Sequence, residues 1–106
     1  MKASERFLQL QHMLKEEPDD LFLNYSVAME YLALNDVEKA IEYFLYTLKL
    51  KPDYIPSFYQ LGKAFEAISQ TEEALSYYRK GLELARLQKN NKAVNEFGEA
   101  LFMLED

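Results

Sequence analysis

Residues 25–50 read YSVAMEYLALNDVEKAIEYFLYTLKL, and residues 59–84 read YQLGKAFEAISQTEEALSYYRKGLEL. Tyr25 of the first stretch corresponds to Tyr59 of the second, an offset of 34 residues. Identical residues recur at this offset along both stretches: Ala33/Ala67, Glu38/Glu72, Ala40/Ala74, Tyr43/Tyr77, Leu48/Leu82 and Leu50/Leu84. A fixed period of this length with two helices in each unit is typical of a solenoid of helical hairpins.

Apolar residues recur at helical spacing along nearly the whole chain, and only three Gly and three Pro interrupt it. The pattern predicts six helices, with breaks at Pro18, Asn35, Pro52, Ser69 and the Asn90-Asn91 pair. Asp19 and Asp20 are both candidate caps of the second helix, and Asp36 and Asp53 are expected to cap the third and the fourth. Loops of two to four residues between these helices imply antiparallel neighbours.

The repeated stretches resemble the tetratricopeptide repeat (TPR) family. Its pattern of a small residue, an aromatic, Ala, an aromatic and Pro is matched in the first repeat by Ala28, Tyr31, Ala40, Phe44 and Pro52. The second repeat matches it with Gly62, Phe65, Ala74 and Tyr78. It departs from the pattern at Arg86, where the family has proline, so its second helix is expected to continue for about one more turn.

This resemblance implies an all-α fold, a TPR-like helical-hairpin solenoid in which about six antiparallel helices form a short right-handed superhelix. Residues 1–106 are expected to be a single domain. Its parts are an N-terminal flanking helix at 3–17, repeats at 21–52 and 55–89, and a C-terminal capping helix at 92–104. The last helix is expected to resemble the second helix of a repeat, a role for which Gly98 is poorly suited.

Composition limits the possible functions. The chain has 106 residues, a net charge of -6 and no Cys, which removes disulfides and thiolate catalysis. Its acidity disfavours nucleic acid and anionic membranes as partners. No stretch has the length and apolarity of a membrane span, and the first residues lack the apolar core of a signal peptide. A cytoplasmic protein is therefore expected.

Candidate catalytic and metal-binding groups are sparse. His12 and Glu16 lie four residues apart, but two ligands without a third make a poor metal site. No Ser or Thr has a neighbouring His to activate it, and there is no Gly-rich phosphate loop. The sequence therefore predicts no enzyme activity, no metal and no cofactor.

One basic run stands out in this acidic chain. It contains one acid, Glu83, and its cations are Arg79, Lys80, Arg86, Lys89 and Lys92. The interpretation we favour is a solvated helix face, because cations near a helix C-terminus are stabilised by the helix dipole. An acidic protein partner and nucleic acid remain as alternatives.

The family resemblance also implies a binding surface, because the first helix of each TPR hairpin lines a concave groove. The candidate partner-binding residues at these positions are Phe22, Tyr25, Met29, Leu32, Tyr59 and Lys63. The Lys and Asn of the carboxylate clamp found in some TPR proteins are replaced by Tyr25, Met29 and Tyr59, with only Lys63 cationic. The prediction is a non-catalytic interaction module or scaffold that binds a partner peptide or helix in an apolar, tyrosine-lined groove. The alternative is homo-oligomerisation, such as a homodimer, or structural assembly through the same surface.

Overall fold

The computed structural model of the protein describes residues 2–105, with side chains described for residues 5–105. It contains six helices: α1 (Lys2–Glu16), α2 (Leu21–Ala33), α3 (Val37–Leu50), α4 (Ile55–Ala67), α5 (Thr71–Leu87) and α6 (Asn91–Glu105). No strand occurs within residues 2–105. The all-α prediction with six helices is confirmed.

The helix ends follow from local backbone chemistry. Asp20 accepts a hydrogen bond from the backbone N–H of Leu23 at 2.8 Å, and Asp36 caps α3 in the same way. Asn35 has a left-handed backbone with φ 65°, which closes the turn between α2 and α3. At the start of α4 the structure differs from the prediction, because Tyr54 rather than Asp53 occupies the N-cap.

The chain divides into two compact units, one up to Pro52 and one from Asp53 onward. Unit 1 contains α1, α2 and α3, and unit 2 contains α4, α5 and α6. In each unit a central helix packs against both of the others. These are α2 in unit 1 and α5 in unit 2.

In unit 1, α2 packs on α1 through Leu23 and Val27, which form a buried cluster with Leu10. Ala28 of α2 and Ala40 of α3 are fully buried. Alanine at both positions lets the two helix backbones approach closely, as small residues do at helix contacts.

In unit 2, an aromatic ring from a neighbouring helix packs directly against each of two glycines. A Cβ on Gly62 of α4 would lie 2.2 Å from a ring carbon of Tyr78 in α5, which is far inside van der Waals contact. A Cβ on Gly81 of α5 would lie 2.3 Å from the ring of Phe97 in α6. Each glycine therefore fixes the spacing of one helix pair, because no other residue leaves room for the ring.

The packing of α6 differs from the sequence prediction. Ala93 and Phe97 of α6 are buried. They align, at an offset of 70 residues, with Leu23 and Val27, which are buried in α2. Gly98 then falls at the position of Ala28 and Gly62. The helix thus packs as the first helix of a hairpin does, and Gly98 is explained as a small residue at a helix-packing position.

Gly62 and Gly98 occupy equivalent positions but differ in their surroundings, so the same substitution is expected to have opposite effects at the two sites. Gly62→Ala is expected to lower the free energy of unfolding by about 1–3 kcal/mol, because the methyl group collides with a fully buried ring. Gly98→Ala is expected to raise it by roughly 0.5–1 kcal/mol, because Ala loses less backbone entropy than Gly on folding. Urea unfolding followed by circular dichroism measures both, and equal effects at the two sites would contradict this packing.

Candidate partner-binding surfaces

One face of α2 is apolar and turned away from the core of unit 1. Phe22, Tyr25, Met29 and Leu32 are spaced by three, four and three residues, so they lie along one side of the helix. Phe22 is 69% exposed, Met29 is also exposed, and Tyr25 and Leu32 are half-buried. We call these four residues the α2 face. They are four of the six residues that the sequence predicted for partner binding.

The α2 face is held in place by contacts at its start and its centre. Asn24 donates hydrogen bonds from its side-chain amide to the carbonyls of Pro18 at 3.0 Å and Asp20 at 2.8 Å. These bonds tie the preceding loop to the first turn of α2, where Phe22 lies. The ring of Tyr25 packs edge-on against Phe44 of α3, with 5.4 Å between centroids. These contacts hold the backbone that carries the face in place, and a preformed surface lowers the entropy cost of binding.

The other two predicted residues, Tyr59 and Lys63, lie in unit 2. The ring of Tyr59 is half-buried, 5.9 Å from that of Tyr78 and 5.7 Å from that of Phe97, measured between centroids. Lys63 places its Nζ 5.6 Å from the Tyr59 ring centroid, within the range of a cation–π contact. Tyr59 is therefore as much a packing residue as a surface residue.

Tyr59 and Lys63 line a small cavity together with side chains from α5 and α6. Its volume is about 210 Å³, and its walls are Tyr59, Lys63, Glu66, Tyr78, Glu99, Ala100 and Met103. The cavity carries one cation and two acids. It is thus more polar than the tyrosine-lined apolar groove that the sequence predicted.

The hydroxyl of Tyr78 is the buried polar group of this cavity, and it donates a hydrogen bond to Glu66. Burial raises the pKa of Tyr78 well above its usual value, and the bond to Glu66 and the negative charge of that carboxylate raise it further. Tyr78 is therefore a neutral donor at all ordinary pH values. It positions Glu66 and takes part in no proton transfer near pH 7.

Sequence reasoning missed three residues of the cavity: Glu99, Ala100 and Met103. All three come from α6, which was expected to pack as a second helix. With α6 aligned as a first helix, Glu99 falls 36 residues after Lys63 and Met103 falls 36 after Ala67. The alignment of Gly98 with Gly62 is the feature of the sequence from which the packing of α6 as a first helix could have been predicted.

Other candidate groups lie elsewhere. His12 Nε2 is 3.9 Å from Glu16 Oε2, and both side chains are exposed. Among residues 2–105, no group of three or more His, Cys, Asp or Glu side chains is placed to hold a metal ion. In the same range, no helix combines the length and apolarity that crossing a bilayer requires. In the basic run of α5, Arg79 forms an ion pair with Glu105 of α6 at 2.5 Å.

Comparison with known proteins identifies the class to which this architecture belongs. Paired antiparallel helices that repeat along the chain, with small residues at their contacts, are typical of a helical-repeat domain. The sequence model of the tetratricopeptide repeat family matches residues 2–86. The chain therefore belongs to the tetratricopeptide repeat family. No curated protein matches the chain.

Solved structures agree with this assignment. A tetratricopeptide repeat domain protein from Salinibacter ruber is 32% identical, over 83% of this chain and 89% of its own, with a TM-score of 0.78. The TPR2B domain of yeast Sti1, solved in complex with pHsp70, has a TM-score of 0.89 at 14% identity, over 98% of this chain and 83% of its own. PcrH in complex with the chaperone binding region of PopD has a TM-score of 0.90 at 13% identity, over 98% of this chain and 79% of its own. The latter two likenesses concern the fold.

The raised pKa of Tyr78 predicts alkaline instability. The unfolded state loses the phenol proton near pH 10 while the folded state keeps it, so this contribution to stability is complete below about pH 10 and is lost as pH rises. In Tyr78→Phe the fall in the urea midpoint between about pH 8 and about pH 11 is expected to be smaller than in wild type.

Tyr77→Phe provides the comparison, because burial alone raises the pKa of Tyr77. A smaller relief of the alkaline fall is expected in that variant. If Tyr78→Phe loses stability with pH as steeply as wild type does, the neutral buried phenol is not the cause.

Proposed function

We propose that this chain is a non-catalytic interaction module that binds an apolar helix or an extended segment of a partner protein on the α2 face. For unit 2 we propose Tyr59 and Lys63 as contact residues of that unit taken by itself. One observation carries the proposal. Phe22, a large aromatic side chain, is 69% exposed at the start of a rigid helix and lies in line with Met29. Aromatic and Met side chains are enriched at the cores of protein interfaces.

The dimensions of the α2 face fit a helical ligand. Phe22 and Leu32 are ten residues apart, so the face is about 15 Å long at the rise of an α-helix. That length matches about three turns of a partner helix with apolar anchors at positions i, i+3 or i+4, and i+7. Met29 near the centre can change rotamer to fit anchors of different shape.

Known relatives support the class of function. TPR domains generally act as non-enzymatic interaction modules, and the Sti1 and PcrH structures each hold a protein ligand. We infer the same class of role for this chain, with a different recognition chemistry. The two Tyr and the Met that replace the clamp residues favour apolar side chains over a terminal carboxylate.

Truncating Phe22 tests this proposal. A displayed library of amphipathic helical peptides is first selected on the immobilised protein, and the enriched peptides are then titrated by fluorescence anisotropy. Phe22→Ala is expected to weaken their binding by about 1–3 kcal/mol, because the most exposed aromatic anchor of the α2 face is lost. Its exposure means that the fold should be unaffected.

Leu45→Ala is the matched control, because Leu45 is an exposed apolar residue on α3, outside the α2 face. It should leave affinity unchanged. Equal losses in the two variants would contradict recognition by the α2 face. A stable wild-type dimer that Phe22→Glu converts to monomer would instead favour self-association through this face.

A further inference from the structure

The small-residue position of α6, Gly98, is uncovered among the described residues of unit 2. The equivalent position of α2 in unit 1 is covered by a neighbouring helix. A Cβ on Gly98 of α6 would have no heavy atom within 4 Å in the described part of the chain. The equivalent Ala28 of α2 is fully buried, and the equivalent Gly62 of α4 lies against the ring of Tyr78. α6 therefore presents the contact surface of a first helix on which no second helix of this chain is packed.

Apolar side chains are exposed in unit 2 on α5 and on α6. Phe102 of α6 is 78% exposed and Leu87 of α5 is 74% exposed. Next to Leu87 one side of α5 forms a hollow of about 500 Å³ lined by Arg79, Leu82, Glu83, Arg86 and Leu87. Exposed apolar residues that lie together with polar ones beside them are typical of protein interaction sites. We call this hollow, together with Gly98, the open end.

Unit 1 shows which kind of helix covers such a surface. There α1 and α2 pack as α5 and α6 do, and α3 lies on α2 and beside α1. Tyr43 of α3 shares a cavity of about 270 Å³ with Gln11, Leu14 and Lys15 of α1. A second helix, positioned like α3, is therefore the expected occupant of the open end.

The internal repeat gives the register of that occupant. Gln11, Leu14 and Lys15 correspond to residues 68 positions later, namely Arg79, Leu82 and Glu83. Those three residues line the hollow of the open end. Tyr43, which faces them in unit 1, corresponds to Gln9 of α1 at an offset of 34 residues.

We propose that α1 of a second copy of this chain docks on the open end, so that copies associate head to tail. α1 has the position of a second helix, and its outer side is exposed at Leu8, Gln9, His12 and Met13. These four residues line an apolar hollow of about 370 Å³. Docked in the register above, Gln9 enters the hollow of α5 beside Leu82.

The charges at the two surfaces are complementary although the whole chain is acidic. α5 ends in the cationic segment that contains Arg86 and Lys89, whereas α1 ends at Glu16 and is followed by Glu17. Helices at the positions of α1 and α3 run in the same direction, because each is antiparallel to α2. The carboxylate end of α1 therefore lies beside the cationic end of α5 in the neighbouring copy, which favours this orientation.

The contact joins two different surfaces of the chain and does not close on itself. Each added copy presents a new open end, so association continues beyond the dimer. The surfaces involved are separate from the α2 face, and the proposal does not rest on the proposed function. A dimer formed through the α2 face would stop at two copies.

Sedimentation of the 106-residue chain over a wide concentration range tests the proposal. The average mass of the wild type should rise from 12.5 kDa through and beyond the mass of a dimer without a plateau. Glu16→Lys and Arg86→Glu should each weaken association on the order of fivefold at low salt, because each puts like charges together. The double variant should recover association, because the pair is restored with its signs exchanged.

Two further variants provide the controls. Glu42→Lys changes the net charge as Glu16→Lys does, but at an exposed site on α3, and should leave association unchanged. Gly98→Gln should fold as wild type does, because its Cβ meets open space, and should abolish association. A wild type that stays monomeric, a mass that stops at the dimer, or association that survives Gly98→Gln would each overturn the proposal.

Discussion

The contact on which unit 2 depends is that between Gly62 and the ring of Tyr78. Because Gly62 has no side chain, α4 and α5 approach closely enough to bury Tyr78 completely. Burying a side chain of this size contributes roughly 2–3 kcal/mol, and the bond to Glu66 satisfies the phenol that burial removes from water. In unit 1 the equivalent small residue is Ala28, fully buried between helices of the same kind. In the fold, small residues at the helix contacts thus make room for neighbouring helices. Gly98 has the small residue but, within residues 2–105, no ring packed against it.

The position of the proposed binding surface depends on which sides of α2 are already packed against other helices. In α2, Leu23 and Val27 face α1, Ala28 is buried, and the remaining side carries Phe22, Tyr25, Met29 and Leu32. Phe22 and Met29 on that side are exposed and contribute little to the stability of unit 1. Their exposure is therefore better explained by a partner than by folding. In unit 2 the corresponding side of α4 is joined by α6, which brings Glu99 and Met103 next to Lys63.

The sequence predicted the number of helices, most of their ends and the repeat, because periodicity, proline and Asn-Asp turns are local signals. Three features were not predictable in this way. Asp53 was expected to cap α4, but Tyr54 takes the N-cap and Pro56 supplies the fixed φ of the first turn. The polar cavity at Lys63 depends on α6, whose match to the repeat is offset by 36 residues rather than 34. The half-burial of Tyr59 depends on Phe97, a contact between residues 38 positions apart that no local pattern shows.

Chemical-shift mapping tests the central claim most directly, since it shows which residues of the chain a ligand touches. Amide spectra of the labelled protein would be recorded during titration with a peptide selected on it. Binding on the α2 face predicts the largest shifts at Phe22, Tyr25, Met29 and Leu32. Shifts that spare α2 and lie instead on the outer faces of α3 and α5 would contradict it.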